Sequence, residues 1–141
     1  MKSKELFQSP LSAAESWARH YSSLNTDYEF GALLYERRDK HDVSYLVGKT
    51  RKGSKGNGSR IRPNVVMPII LALLLDWMCF FGKPIGLLHT HPISKNGKPS
   101  TAFSNEDKQL TTGRYGIKLL YVFMIPQGGG RMLTFKQGDQ L

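Results

Sequence analysis

The 141-residue chain holds one cysteine, Cys79, so no disulfide framework is available and a reducing compartment is the default. Acids are scarce. Eleven Asp and Glu stand against twenty Lys and Arg, a net charge of +9 that suits an anionic partner or nucleic acid without choosing between them. No apolar h-region follows the charged start Met1-Lys2-Ser3-Lys4-Glu5, so no secretory signal is expected. The chain is read as cytoplasmic, with export by another route left open. An uninterrupted apolar run of membrane-spanning length is missing too. The strongest run, 63–81, is broken by Pro68 and Asp76, and a helix of about 17 residues reaches only about 25 Å across a hydrocarbon core of roughly 30 Å. It reads instead as a buried helix after Pro68, closed by Gly82 and apolar all round because it is sandwiched. Any exposed remnant of it would be a homodimer face. From 48 to 62 there is no acid at all: Lys49, Arg51, Lys52, Lys55, Arg60 and Arg62 alternate with Gly53, Gly56 and Gly58. Such a segment repels itself and has little to bury, so a mobile loop at 48–62 is expected, either a solvated insertion or a basic arm for an anionic partner. Gly-Ser-Lys at 53–55 lacks the strand-loop-helix setting of a phosphate-binding loop.

What the chain does contain is Gly86-Leu87-Leu88-His89-Thr90-His91-Pro92, followed by Ser104-Asn105-Glu106-Asp107. If the apolar run 85–88 is a strand, His89 and His91 point to one face, because strand side chains alternate. Pro92 lacks a backbone donor and marks where pairing stops, which leaves both imidazoles at a sheet rim. Two histidines there can share a metal ion, and Asp107 is the best candidate for a third ligand. Three protein ligands leave a fourth tetrahedral position for water, as in catalytic rather than structural zinc sites. Ser104 and Asp107 also fit a helix N-terminus, where serine caps and an acid favours the dipole.

These residues carry a resemblance. His89-Thr90-His91-Pro92 with Ser104-Asn105-Glu106-Asp107 resembles the JAMM metalloprotease motif of the JAB/MPN superfamily, a glutamate followed by His-x-His-Pro and Ser-x-x-Asp. Glu29-Phe30-Gly31-Ala32-Leu33-Leu34 looks like the motif's upstream glutamate strand, so the likeness runs from Glu29 to about Phe135. The chain departs from the family in a longer 93–103 loop and in Tyr35, where many members carry glycine. The resemblance implies Zn2+ on His89, His91 and Asp107, with Glu29 as general base and Ser104 stabilising the oxyanion. It further implies a metallopeptidase of the small bacterial-type branch, hydrolysing a peptide or isopeptide bond of a protein substrate. Taken without the resemblance, Glu29 is a solvated strand end, and the competing carboxylate, Glu36, is a surface ion-pair partner of Arg37 or Arg38. A nucleic-acid-binding or scaffold module on the same fold is the alternative function.

Around the motif, Ser12-Ala13-Ala14-Glu15 has the capping-box pattern and predicts a helix at 13–23, with Leu11, Ala14, Trp17, Ala18 and Tyr21 on its packed face. Strands are expected at 28–35, 43–47, 117–125 and 131–135, with turns at 36–39 and 126–130. The whole is one α/β domain spanning 1–141, a mixed sheet packed against two or three helices. The resemblance makes that fold MPN/JAB-like, within the wider cytidine-deaminase-like architecture.

Overall fold

The structure is a computed structural model and describes residues 5–24, 28–55, 82–92, 108–113 and 118–139. Its element order is α1 (Pro10–Tyr21), β1 (Tyr28–Asp39), β2 (Asp42–Val47), β3 (Arg51–Lys55), β4 (Lys83–His91), β5 (Tyr121–Pro126) and β6 (Leu133–Lys136). The six strands form one mixed sheet in the order β2-β1-β4-β5-β6, with β3 also paired to β1. All pairings are antiparallel except β4 with β5. The α/β class therefore holds. The expected apolar helix at 63–81, with its homodimer face, lies outside the described residues. No helix among the described residues is long and apolar enough to cross a membrane.

Helix α1 begins a turn earlier than its pattern predicts. Ser9, not Ser12, is the N-cap: its hydroxyl accepts from the Ser12 backbone N–H at 3.0 Å, and the Ser12 hydroxyl accepts from the Ser9 N–H at 3.3 Å. Pro10 then occupies the first helical position, where its missing N–H costs nothing and its fixed φ suits the helix. The helix buries Ala13, Ala14 and Trp17 against the sheet, whereas Leu11 stays exposed. Trp17 also donates its indole N–H to Thr50 Oγ1 at 3.0 Å.

The first hairpin is longer than its composition suggests. Polar Glu36, Arg37 and Arg38 continue β1 to Asp39, and the turn narrows to Lys40 and His41, with Lys40 at φ 44°. Charged side chains do not stop a strand whose backbone is paired: Glu36 lies between β2 and β4, and Arg37, Arg38 and Asp39 continue along β2. The same principle corrects the expected loop at 48–62. Arg51–Lys55 is strand β3, laid end to end with β2 along one edge of β1. The start of β1, Tyr28 to Gly31, needs backbone partners, and β3 supplies them. One extra residue enters the partner strand between Val47 and Arg51 and another between Lys52 and Lys55, so the arm follows β1 through bulges. Residues 56–62 lie outside the described residues.

The sheet has a core on each face. Ala32, Leu34, Leu88, Phe123 and Ile125 pack under α1. Leu33, Tyr35, Leu46, Leu87, Val122 and Phe135 pack on the opposite face with Leu110 and Leu119, from the connection between β4 and β5. That connection must cross over because the two strands are parallel. Its described helical turn, 108–113, ends at Gly113 with φ 85°, a left-handed closure that favours glycine. The last strands bear out the expected pair of elements, β5 and β6. Gly128 and Gly129 turn the chain between them with φ near 85° and 88°, donating to Leu24 and Ser22 carbonyls beyond the end of α1.

Candidate metal centre

Alternation along β4 puts Leu87, His89 and His91 on the face away from α1, and the register with β1 decides what meets them. Gly31 lies opposite His89 and Ala32 opposite Leu88. Two residues before Gly31, and on its face, stands Glu29. Glu29, His89 and His91 converge accordingly: one ligand atom from each lies within 4.8 Å of the others, and all three residues are buried. The imidazole rings sit edge to face with centroids 5.0 Å apart. The cluster occupies the rim where the parallel strands β4 and β5 both end, at His91 and Pro126. In open α/β sheets ligands collect at the carboxyl ends of the strands.

The supports of this cluster are as telling as its members. His89 Nδ1 lies 2.8 Å from the Phe123 carbonyl oxygen. A carbonyl can only accept, so Nδ1 carries a proton, and in the neutral imidazole that leaves the lone pair on Nε2, the tautomer a metal-ligating histidine adopts. Behind the histidines, Thr90 and Gln127 are fully buried. Thr90 Oγ1 accepts from the Phe30 backbone N–H at 2.9 Å and from Gln127 Nε2 at 3.1 Å. Gln127 Nε2 also donates to the Tyr28 carbonyl at 2.7 Å, and its backbone N–H donates to the His91 carbonyl at 2.9 Å. The peptide groups on both sides of Glu29 are thereby tied to the residue between the two histidines.

Buried charge and imidazole in one cluster are costly unless paired or coordinated. Two histidines and a carboxylate are donors that suit zinc, and the same set also serves iron(II), so the donor chemistry fits a transition metal without naming it. The competing carboxylate, Glu36, is not in this cluster. It pairs across the sheet with Lys83, at the opposite end of β4 from His91, and accepts from Arg38 Nε at 2.9 Å. Ser104 and Asp107 lie outside the described residues. His20, at the end of α1, packs edge-on against Tyr21 and takes no part.

Sequence reasoning missed Thr90, Gln127 and the Phe123 carbonyl. Thr90 has a local signal, being the polar residue turned away from its two histidine neighbours into a buried layer. Gln127 has none, because its partners are set by strands nearly a hundred residues apart. Gly31 was a usable signal: a glycine inside a strand marks a place where something approaches closely. Searches against family models, curated proteins and solved structures found no match for this chain.

Proposed function

We propose that the chain is a zinc-dependent hydrolase of amide bonds, with a JAMM-like site on an MPN/JAB-like fold. The observation that carries the reading is the convergence of buried Glu29, His89 and His91, with His89 held in the ligating tautomer by the Phe123 carbonyl. His89, His91 and Asp107 would hold the ion. Leu110, three residues after Asp107 in sequence, packs with Leu33 and Leu87 on the histidine face, which supports that assignment. When bound, zinc supplies a Lewis acid for the scissile carbonyl and acidifies its water towards a pKa of about 7.

Glu29 is the proton carrier in this reading. Its carboxylate takes the proton of the attacking water and returns it to the departing amine, so the amine leaves neutral. The Thr90–Gln127 network holds the backbone around Glu29 against β4, so the base need not be reordered in each turnover. Ser104 would donate its hydroxyl to the oxyanion, a contribution on the order of 3 kcal/mol for a single donor. The substrate is a protein or peptide carrying a peptide or isopeptide bond.

The test is metal analysis of protein purified without chelator, combined with amide cleavage before and after chelation. One zinc per chain and chelator-sensitive release of new amine ends are expected. Iron in its place, or no metal and no restoration by zinc, overturns the reading. Glu29→Gln keeps size and removes the proton acceptor, so zinc stays while hydrolysis falls by about 10² to 10⁴-fold. A second reading, a polyanion-binding module, is favoured by β3, which sets Arg51, Lys52 and Lys55 on an ordered strand beside the site. Tight polyanion binding by zinc-loaded protein that cleaves no amide selects it.

A further inference from the structure

Arg51 belongs to the same face as the metal cluster, yet the reaction just described makes no use of it. Arg51 lies opposite Gly31 on one side of β1, and His89 lies opposite Gly31 on the other. Directly opposed residues share a face, so Arg51, Gly31 and His89 form one row across three strands. At a strand spacing of about 4.8 Å, the Cα atoms of Arg51 and His89 are about 10 Å apart. Gly31 puts no side chain between them. Lys52, by contrast, falls on the α1 face, where its ammonium sits 4.4 Å from the centroid of the Tyr28 ring.

Arg51 is only partly exposed, and its Nε is buried with no hydrogen-bond partner among the described residues. No ion pair involves it there either. A buried donor on a permanently charged group is expensive to leave unsatisfied, and such a group calls for a ligand. The planar fork of arginine matches a carboxylate with two parallel N–H···O bonds. We infer that Arg51 forms a carboxylate subsite beside the metal centre, so that the preferred substrate bears a carboxylate one glycine's width from the scissile carbonyl. This rests on the metal-site reading above.

The test is calorimetric titration of the zinc-loaded full chain with acetohydroxamate and with succinic monohydroxamate, which share a metal-binding head and differ by a carboxylate. The carboxylate-bearing ligand should bind about 10- to 100-fold tighter, the range of a charge-assisted hydrogen-bonded pair. Arg51→Gln should erase that preference while leaving zinc content and acetohydroxamate affinity unchanged. Arg51→Lys should keep part of it, having the charge without the fork. Equal affinities in the wild type, or a preference that survives Arg51→Gln, overturn the inference while leaving the metal centre intact. Failure of acetohydroxamate itself to bind places the fault in the metal-site reading and removes the inference with it. Two peptidyl hydroxamates, one ending in a free α-carboxylate and one amidated but carrying an aspartate side chain, distinguish the sources. The source is the one whose binding Arg51→Gln weakens, and indifference of both to the change overturns the subsite.

Discussion

Replacing Thr90 by valine tests whether the polar network behind the histidines holds the site together. Valine has the shape of threonine but presents a methyl group to the Phe30 N–H and to Gln127 Nε2, at contacts of 2.9 and 3.1 Å in a fully buried position. Each stranded donor costs about 1–3 kcal/mol, so the pair amounts to about 2–6 kcal/mol. Gln127 Nε2 keeps its bond to the Tyr28 carbonyl, which favours the lower half of that range. Against a total domain stability of about 5–15 kcal/mol the loss is large without being fatal. Thr90→Ser is the control, since it retains the oxygen and loses one buried methyl, about 1 kcal/mol. Urea unfolding followed by tryptophan fluorescence measures both variants by linear extrapolation. Zinc affinity measured in parallel should fall about 10- to 100-fold in Thr90→Val, the scale seen when groups that orient ligands are removed. Equal destabilisation of the two variants would refute the hydrogen-bond argument. Full zinc affinity in a destabilised Thr90→Val would refute the claim that this network sets the Glu29 and histidine geometry.

Alanine at His89 or at His91 should abolish most zinc uptake, by more than the roughly 10- to 100-fold lost on removing an orienting group, as read by metal content after dialysis. Ser9→Ala removes the N-cap hydroxyl of α1 and should lower stability by about 1 kcal/mol in the same urea assay, with Ser12→Ala showing a comparable loss. Gly82→Ala should destabilise by about 1–3 kcal/mol, because φ is 120° there and a Cβ would lie 2.5 Å from the Glu36 carbonyl oxygen. If β3 and its basic residues bind duplex nucleic acid, log K should fall against log salt with a slope near −0.9 per phosphate contacted. Neutralising Lys52 and Lys55 together should flatten that slope, and a salt-independent affinity would exclude the contact.

Local pattern was enough for part of this molecule. The i, i+2 spacing of His89 and His91 at the end of an apolar run needs only strand alternation to place both on one face, and Pro92 needs only its missing donor to end the strand. The helix at the amino terminus was legible from apolar spacing, although two serines and a proline moved its start to Pro10. The turn before β6 followed from glycine conformational freedom. Pairing between distant segments was decided only in three dimensions. Glu29 reaches the histidines because Gly31 opposes His89, and a slip of one residue in that register would turn Glu29 to the α1 face. The basic stretch is a strand at Arg51–Lys55 because β1 has backbone groups to satisfy, a demand invisible in the stretch itself. Thr90, Gln127 and the Phe123 carbonyl support the cluster because β1, β4 and β5 end together at one rim. Side-chain alternation is a property of a few consecutive residues, whereas register is the outcome of competition among whole-sheet packings, and that competition placed the site.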